Sequence, residues 1–133
     1  MMSTLPLELT LLGWSTVLLF AYIMVQGQTA THDSGLEWNA GARDGDARPL
    51  GELAGRAARA LSNFQETYPV FVALALALAV SGRTGGIGEV GAWTWFVARL
   101  AYLPLYLLGI PYIRSLVWLV SLLGLLLMLI RLL

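Results

Sequence analysis

Arg56-Ala57-Ala58-Arg59-Ala60-Leu61-Ser62-Asn63-Phe64-Gln65-Glu66-Thr67-Tyr68-Pro69 runs directly into residues 70–80, which are almost wholly apolar. Within it Arg56, Arg59, Asn63 and Glu66 recur at spacings of 3, 4 and 3. At about 100° per residue these four side chains fall within about 80° of one another, on one helix face. The apolar continuation takes that helix into a membrane, and the polar face goes with it. Ionisable groups in a bilayer cost roughly 2.5–3.5 kcal/mol each on insertion scales, so they are usually paired and functional. Arg99, Tyr102 and Tyr106 form a second stripe in the third apolar run, at spacings of 3 and 4.

Composition supports a membrane class. The 133 residues are 58% hydrophobic and 12% charged, with a mean hydropathy of +0.73. A soluble domain of this length has no core large enough for so many apolar side chains. The formal net charge is zero, so no nucleic-acid partner is expected. There is no Cys, which excludes disulfides, thiol nucleophiles and cysteine metal sites within the chain. Thiol chemistry here would need a bound small molecule.

Four apolar segments, at about 5–25, 53–80, 92–110 and 112–131, each approach the roughly 20 residues that span hydrocarbon. In lipid only a helix or a closed barrel satisfies the backbone, so the expectation is an all-α, integral membrane four-helix bundle in a single domain, 1–133. The first run lacks a basic flank and a cleavage site and reads as a retained span. The polar stretch 26–49 reads as an extramembrane loop, and 81–91 as the connection on the opposite side. Gly109-Ile110-Pro111 makes a tight turn, because Pro111 cannot continue a helix. The face holding 26–49 and this turn collects Arg43, Arg48, Arg56, Arg59 and Arg114, against Arg83 and Arg131 on the other. The positive-inside bias puts that face in the cytoplasm.

This topology brings the two stripes to similar depths. At 1.5 Å per residue, Arg99 lies about 15 Å and Tyr106 about 5 Å from the Gly109 turn, and Arg114 opens the fourth span there. Glu66 is expected to be buried with Arg99 as its partner. One reading is a structural ion pair that fixes helix register. The other rests on surplus charge: one carboxylate faces Arg56, Arg59, Arg99 and Arg114, and a positive pocket suits an anionic ligand held by bidentate bonds. Asn63 adds an amide donor and acceptor. Tyr102 and Tyr106 share the face of Arg99 and are either part of that pocket or belt aromatics; Trp93, Trp95 and Trp118 read as belt residues. Residues 86–91 match G-x-G-x-x-G, but no strand precedes them, so no dinucleotide site follows. His32 with Asp33, Asp44 and Asp46 reads as a solvated loop, and no metal site is expected. Ala73, Ala77, Ser121 and Gly124 offer small faces for close helix contact.

The Arg56–Thr67 pattern leading into Pro69, followed by Arg99-x-x-Tyr102-x-x-x-Tyr106 and by Arg114-Ser115, resembles the signature of the MAPEG family, the membrane-associated proteins of eicosanoid and glutathione metabolism. The resemblance covers nearly the whole chain, and the loop around Trp38 to Asp44 is more similar to the bacterial branch. It implies a homotrimer of four-helix protomers in membrane lipid, in the bacterial inner membrane, with glutathione or another low-molecular-weight thiol bound between neighbours toward the cytoplasmic side. Carried over residue by residue, Arg59, Asn63, Glu66, Arg99 and Tyr106 would hold the tripeptide, with Arg56 and Tyr102 beside them. Arg114 and Ser115 would stand near the sulfur as catalytic groups. The implied activity is a transferase or peroxidase acting on lipophilic small molecules; the alternative is a non-catalytic lipid-binding or interaction protein. Phe64, Ser62 and Tyr102 depart from the eicosanoid synthases, which carry an acid, a basic residue and a His there.

Overall fold

A computed structural model describes residues 4–35, 41–42 and 51–133. The described residues form four α-helices and no strand: α1 Leu7–Ser34, α2 Glu52–Val80, α3 Gly86–Leu107 and α4 Pro111–Leu132. Three of them, over Leu7–Asp33, Glu52–Val80 and Pro111–Leu132, are long and apolar enough to cross a membrane. In α3 the apolar content is diluted by Glu89, Arg99 and three glycines.

Two of the expected boundaries move. The stretch 26–49 was expected to be loop throughout, yet α1 runs on to Ser34. No proline interrupts it. The Thr29 hydroxyl donates back to the Val25 carbonyl at 2.8 Å and the Thr31 hydroxyl to Gly27 at 2.8 Å, satisfying side chains that would otherwise favour a turn. The helix stops where Gly35 takes a positive φ of 89°. The connection after α2 is also shorter than expected, because α3 starts at Gly86 rather than Ala92. The helical turn 86–91 thus contains the G-x-G-x-x-G match. Gly91 is there for contact: a Cβ on it would lie 2.4 Å from the Gly124 carbonyl oxygen. The Gly91–Gly124 approach, beside Ser121, lets α3 and α4 close backbone to backbone.

The helices alternate in direction. At one end the Glu8 carboxylate accepts the Gly85 N–H at 2.7 Å, capping the start of α3, and Arg131 and Arg83 each donate to carbonyls across the α2–α3 turn and the end of α4. At the other end Asp33 accepts the Gly51 N–H at 2.6 Å and Arg56 reaches the Leu107 carbonyl. Pro111 opens α4 at its first turn, where no N–H is needed, two residues after Gly109 with φ 71°.

An aromatic core joins α1, α2 and α3. The Phe71 and Trp95 rings stack at 3.9 Å, and Phe64 meets Tyr22 at 4.6 Å. Trp95 is fully buried, so the belt position expected for it is wrong. It sits four residues before Arg99, on the inward face of α3. Trp93, two residues earlier, points outward as expected of a belt residue.

Candidate functional site

A groove of about 320 Å³ opens near the α3–α4 turn, lined by Asn63, Tyr102, Tyr106, Arg114, Ser115 and Trp118. Helical spacing explains the set. Tyr102 and Tyr106 are four apart on α3, and Arg114, Ser115 and Trp118 share one face of α4's first turns. The Arg114 guanidinium lies 4.5 Å from the Tyr106 ring centroid, and Arg59 lies 5.9 Å from the same ring. Tyr106 is therefore contacted by two cations, an arrangement its electron-rich face favours. Tyr102 meets Tyr106 edge to face at 5.5 Å and is nearly buried. The Ser115 hydroxyl donates back to the Pro111 carbonyl at 3.3 Å, a weak bond from which it can rotate. Among the described residues no acidic side chain lines the groove, and Arg114 gives it positive charge.

The remaining residues of the two stripes stand around this groove rather than in it. Arg99 is fully buried. The expected partnership with Glu66 is not formed: Arg99 Nη1 donates to Asn63 Oδ1 at 2.7 Å and Nη2 to Thr67 Oγ1 at 2.7 Å. Glu66 is exposed and makes no ion pair among the described residues. The physical reason is angular. On α2 Asn63 and Thr67 are four residues apart and turn inward toward α3, and Glu66 stands about 100° away from Thr67. Arg59 is also exposed, beside Gly55, on an outer hollow shared with Gly51, Glu52 and Ala58. Arg56 lies against the α3–α4 turn, its guanidinium close to Gly109 and 3.8 Å from Glu52.

Three contributors were not expected from the sequence. Thr67 follows Asn63 at a spacing of four, a signal present in the stripe itself. Tyr22 of α1 donates its hydroxyl to the Arg99 carbonyl at 2.7 Å, a contact across 77 residues that no local pattern announces. Trp118 was expected in the belt; it is half-buried in the groove wall, at the α4 position four after Arg114. Of the loop residues set aside as solvated, His32 and Asp33 touch each other at 3.3 Å, and Asp44 and Asp46 lie outside the described residues, as do Arg43 and Arg48.

Four helices among the described residues, three of them of spanning length and apolar character, define an all-α integral membrane protein with a cationic groove near one end. The model of the MAPEG family matches residues 11–133, and the chain belongs to that family. No individual curated protein and no solved structure is significantly similar to it.

Proposed function

We propose that the protein is a membrane-embedded transferase or peroxidase that uses glutathione, or a related thiol, against lipophilic electrophiles. The observation that carries this reading is Arg114, a cation set over Tyr106 in a groove that no carboxylate lines among the described residues. The residues present fit an acidic thiol peptide. Glutathione carries two carboxylates and one amine, and the groove offers a guanidinium, an amide, a hydroxyl and two phenols. The amine needs an acid, and Glu66 stands exposed, without an ion pair among the described residues, one turn beyond Asn63.

Glu66 and Arg59 do not line their own protomer's groove, although Arg59 reaches the Tyr106 ring from outside it. We read this as a site shared between copies: in a homotrimer the outer face of α2 would be covered by a neighbour, and Arg56, Arg59 and Glu66 would hold the charged ends of the peptide. When bound, the thiol supplies a sulfur nucleophile that displaces a leaving group, or reduces a hydroperoxide to alcohol and water as two thiols become a disulfide. The protein's part is electrostatic. Arg114 favours negative charge on the sulfur over the protonated thiol. The Ser115 hydroxyl, weakly bonded to the Pro111 carbonyl, would be free to donate to that sulfur. Trp118 and the apolar outer face of α4 admit a lipophilic reactant from the bilayer. The excess of arginine at the groove end supports a cytoplasmic orientation for it, and the loop resemblance favours the bacterial inner membrane.

Native mass spectrometry of small molecules released from the purified protein tests this against a lipid-binding role. Release of a thiol peptide is expected. An apolar ligand in its place, retained in Arg114→Ala, would favour the non-catalytic reading.

A further inference from the structure

Among the described residues, Arg99 carries the only guanidinium that is both fully buried and bonded across helices to side chains alone. Its two terminal nitrogens are taken by Asn63 Oδ1 and Thr67 Oγ1, and the rings of Tyr102 and Phe64 flank its Cζ at 5.0 and 5.9 Å. It does not line the groove, whereas Asn63 does. We propose that Arg99 is a positioning residue: it locks the Asn63 carboxamide so that the groove meets amide hydrogens, and this part of the groove takes a carboxylate.

The chemistry of the donor set carries the point. A guanidinium has five N–H donors and no acceptor, so the Asn63 atom 2.7 Å from it is the carbonyl oxygen. The amide nitrogen is then on the other side, and among the described residues nothing accepts its hydrogens. Flipping the amide would set donor against donor and strand a buried N–H, which the second arm of the fork at Thr67 and the Tyr22 bond to the Arg99 carbonyl both oppose. Arg114 and Ser115, assigned above to the sulfur, line the same groove, so the Asn63 hydrogens are the donors left for a neighbouring anionic group. A carboxylate, which only accepts, matches them. The identity of the ligand rests on the thiol-peptide reading; the lock does not.

The chain has only two asparagines, Asn39 and Asn63. Protein labelled with 15N-asparagine therefore gives two side-chain amide pairs, and Asn63→Asp assigns them by deleting one. Without ligand, the Asn63 pair should show one narrow set of shifts displaced from free-amide values, returning toward them in Arg99→Gln. Should Arg99→Gln not fold, Thr67→Val strips one arm of the fork and should broaden the pair. Glutathione titration supplies the second arm of the test. Asn63→Asp keeps an acceptor for Arg99 but replaces the groove hydrogens with an anionic oxygen, so affinity should fall roughly 10- to 150-fold or more at unchanged oligomer size. Wild-type affinity in Asn63→Asp, or an Asn63 amide indifferent to Arg99 and Thr67, would overturn the proposal. A locked amide in wild-type protein that binds no glutathione would instead count against the thiol reading alone.

Discussion

Gly91→Ala places a methyl group 2.4 Å from the Gly124 carbonyl oxygen, 3.0 Å from the Leu127 Cβ and 3.0 Å from the Met128 Cγ. Carbon and oxygen need roughly 3.2 Å or more, so α3 and α4 must part by nearly 1 Å where they are closest. The nearest atom is backbone and cannot rotate aside. Overpacking of this kind costs about 1–3 kcal/mol, and the rigid partner argues for the upper half of that range. Propensity works the other way, since Ala is favoured over Gly in a helix by about 0.5–1 kcal/mol, leaving a net loss near 1–2 kcal/mol. Gly13→Ala separates the two effects: nothing lies within 4 Å of its added methyl, so that variant should be neutral or more stable. Thermal unfolding in one detergent, followed by circular dichroism, ranks the three proteins. A Gly91→Ala protein as stable as wild type, with Gly13→Ala behaving as expected, would refute the backbone contact between α3 and α4.

Arg114→Ala should bind glutathione nearly normally, lose the ultraviolet absorbance of thiolate at neutral pH, and fall about 10²- to 10³-fold in turnover; retention of both would make Arg114 a surface anchor. Glu66→Ala should weaken glutathione binding by roughly 30- to 5,000-fold, the usual cost of stranding one partner of a desolvated charge pair, measured by calorimetry on protein of unchanged oligomer size. Glu8→Ala removes the acceptor of the Gly85 N–H at the far end of the bundle and should lower stability by about 0.5–2 kcal/mol without altering thiol affinity. Tyr22→Phe deletes the bond to the Arg99 carbonyl, for a loss of about 1 kcal/mol in the same unfolding measurement.

Period and length made the helices legible. The stripes on α2 and α3 put Asn63, Tyr102 and Tyr106 on faces that do meet, and Pro111 after Gly109 marked the last turn. What the sequence did not disclose follows from rotation of one helix against another. A stripe about 80° wide has an inner and an outer edge, and Asn63 fell on the inner edge with Thr67, leaving Arg59 and Glu66 outside. Charge complementarity alone favoured Glu66 for Arg99; packing angle gave Arg99 two neutral oxygens instead. Trp95 and Trp118 misled for a related reason, because a tryptophan near a span end is equally at home in a belt or a core, and only its neighbours across helices decide. Gly91 was visible merely as one letter of a motif belonging to another fold. Its use, the contact with Gly124, depends on a residue 33 positions away.

Calorimetric titration of detergent-purified, oligomeric protein with glutathione, followed in the same preparation by turnover of a chloronitroarene and a lipid hydroperoxide, tests the groove's assignment most directly. Saturable binding that generates thiolate absorbance, with turnover of at least one electrophile, is the predicted result. Neither binding nor turnover in protein that is folded and assembled would contradict it.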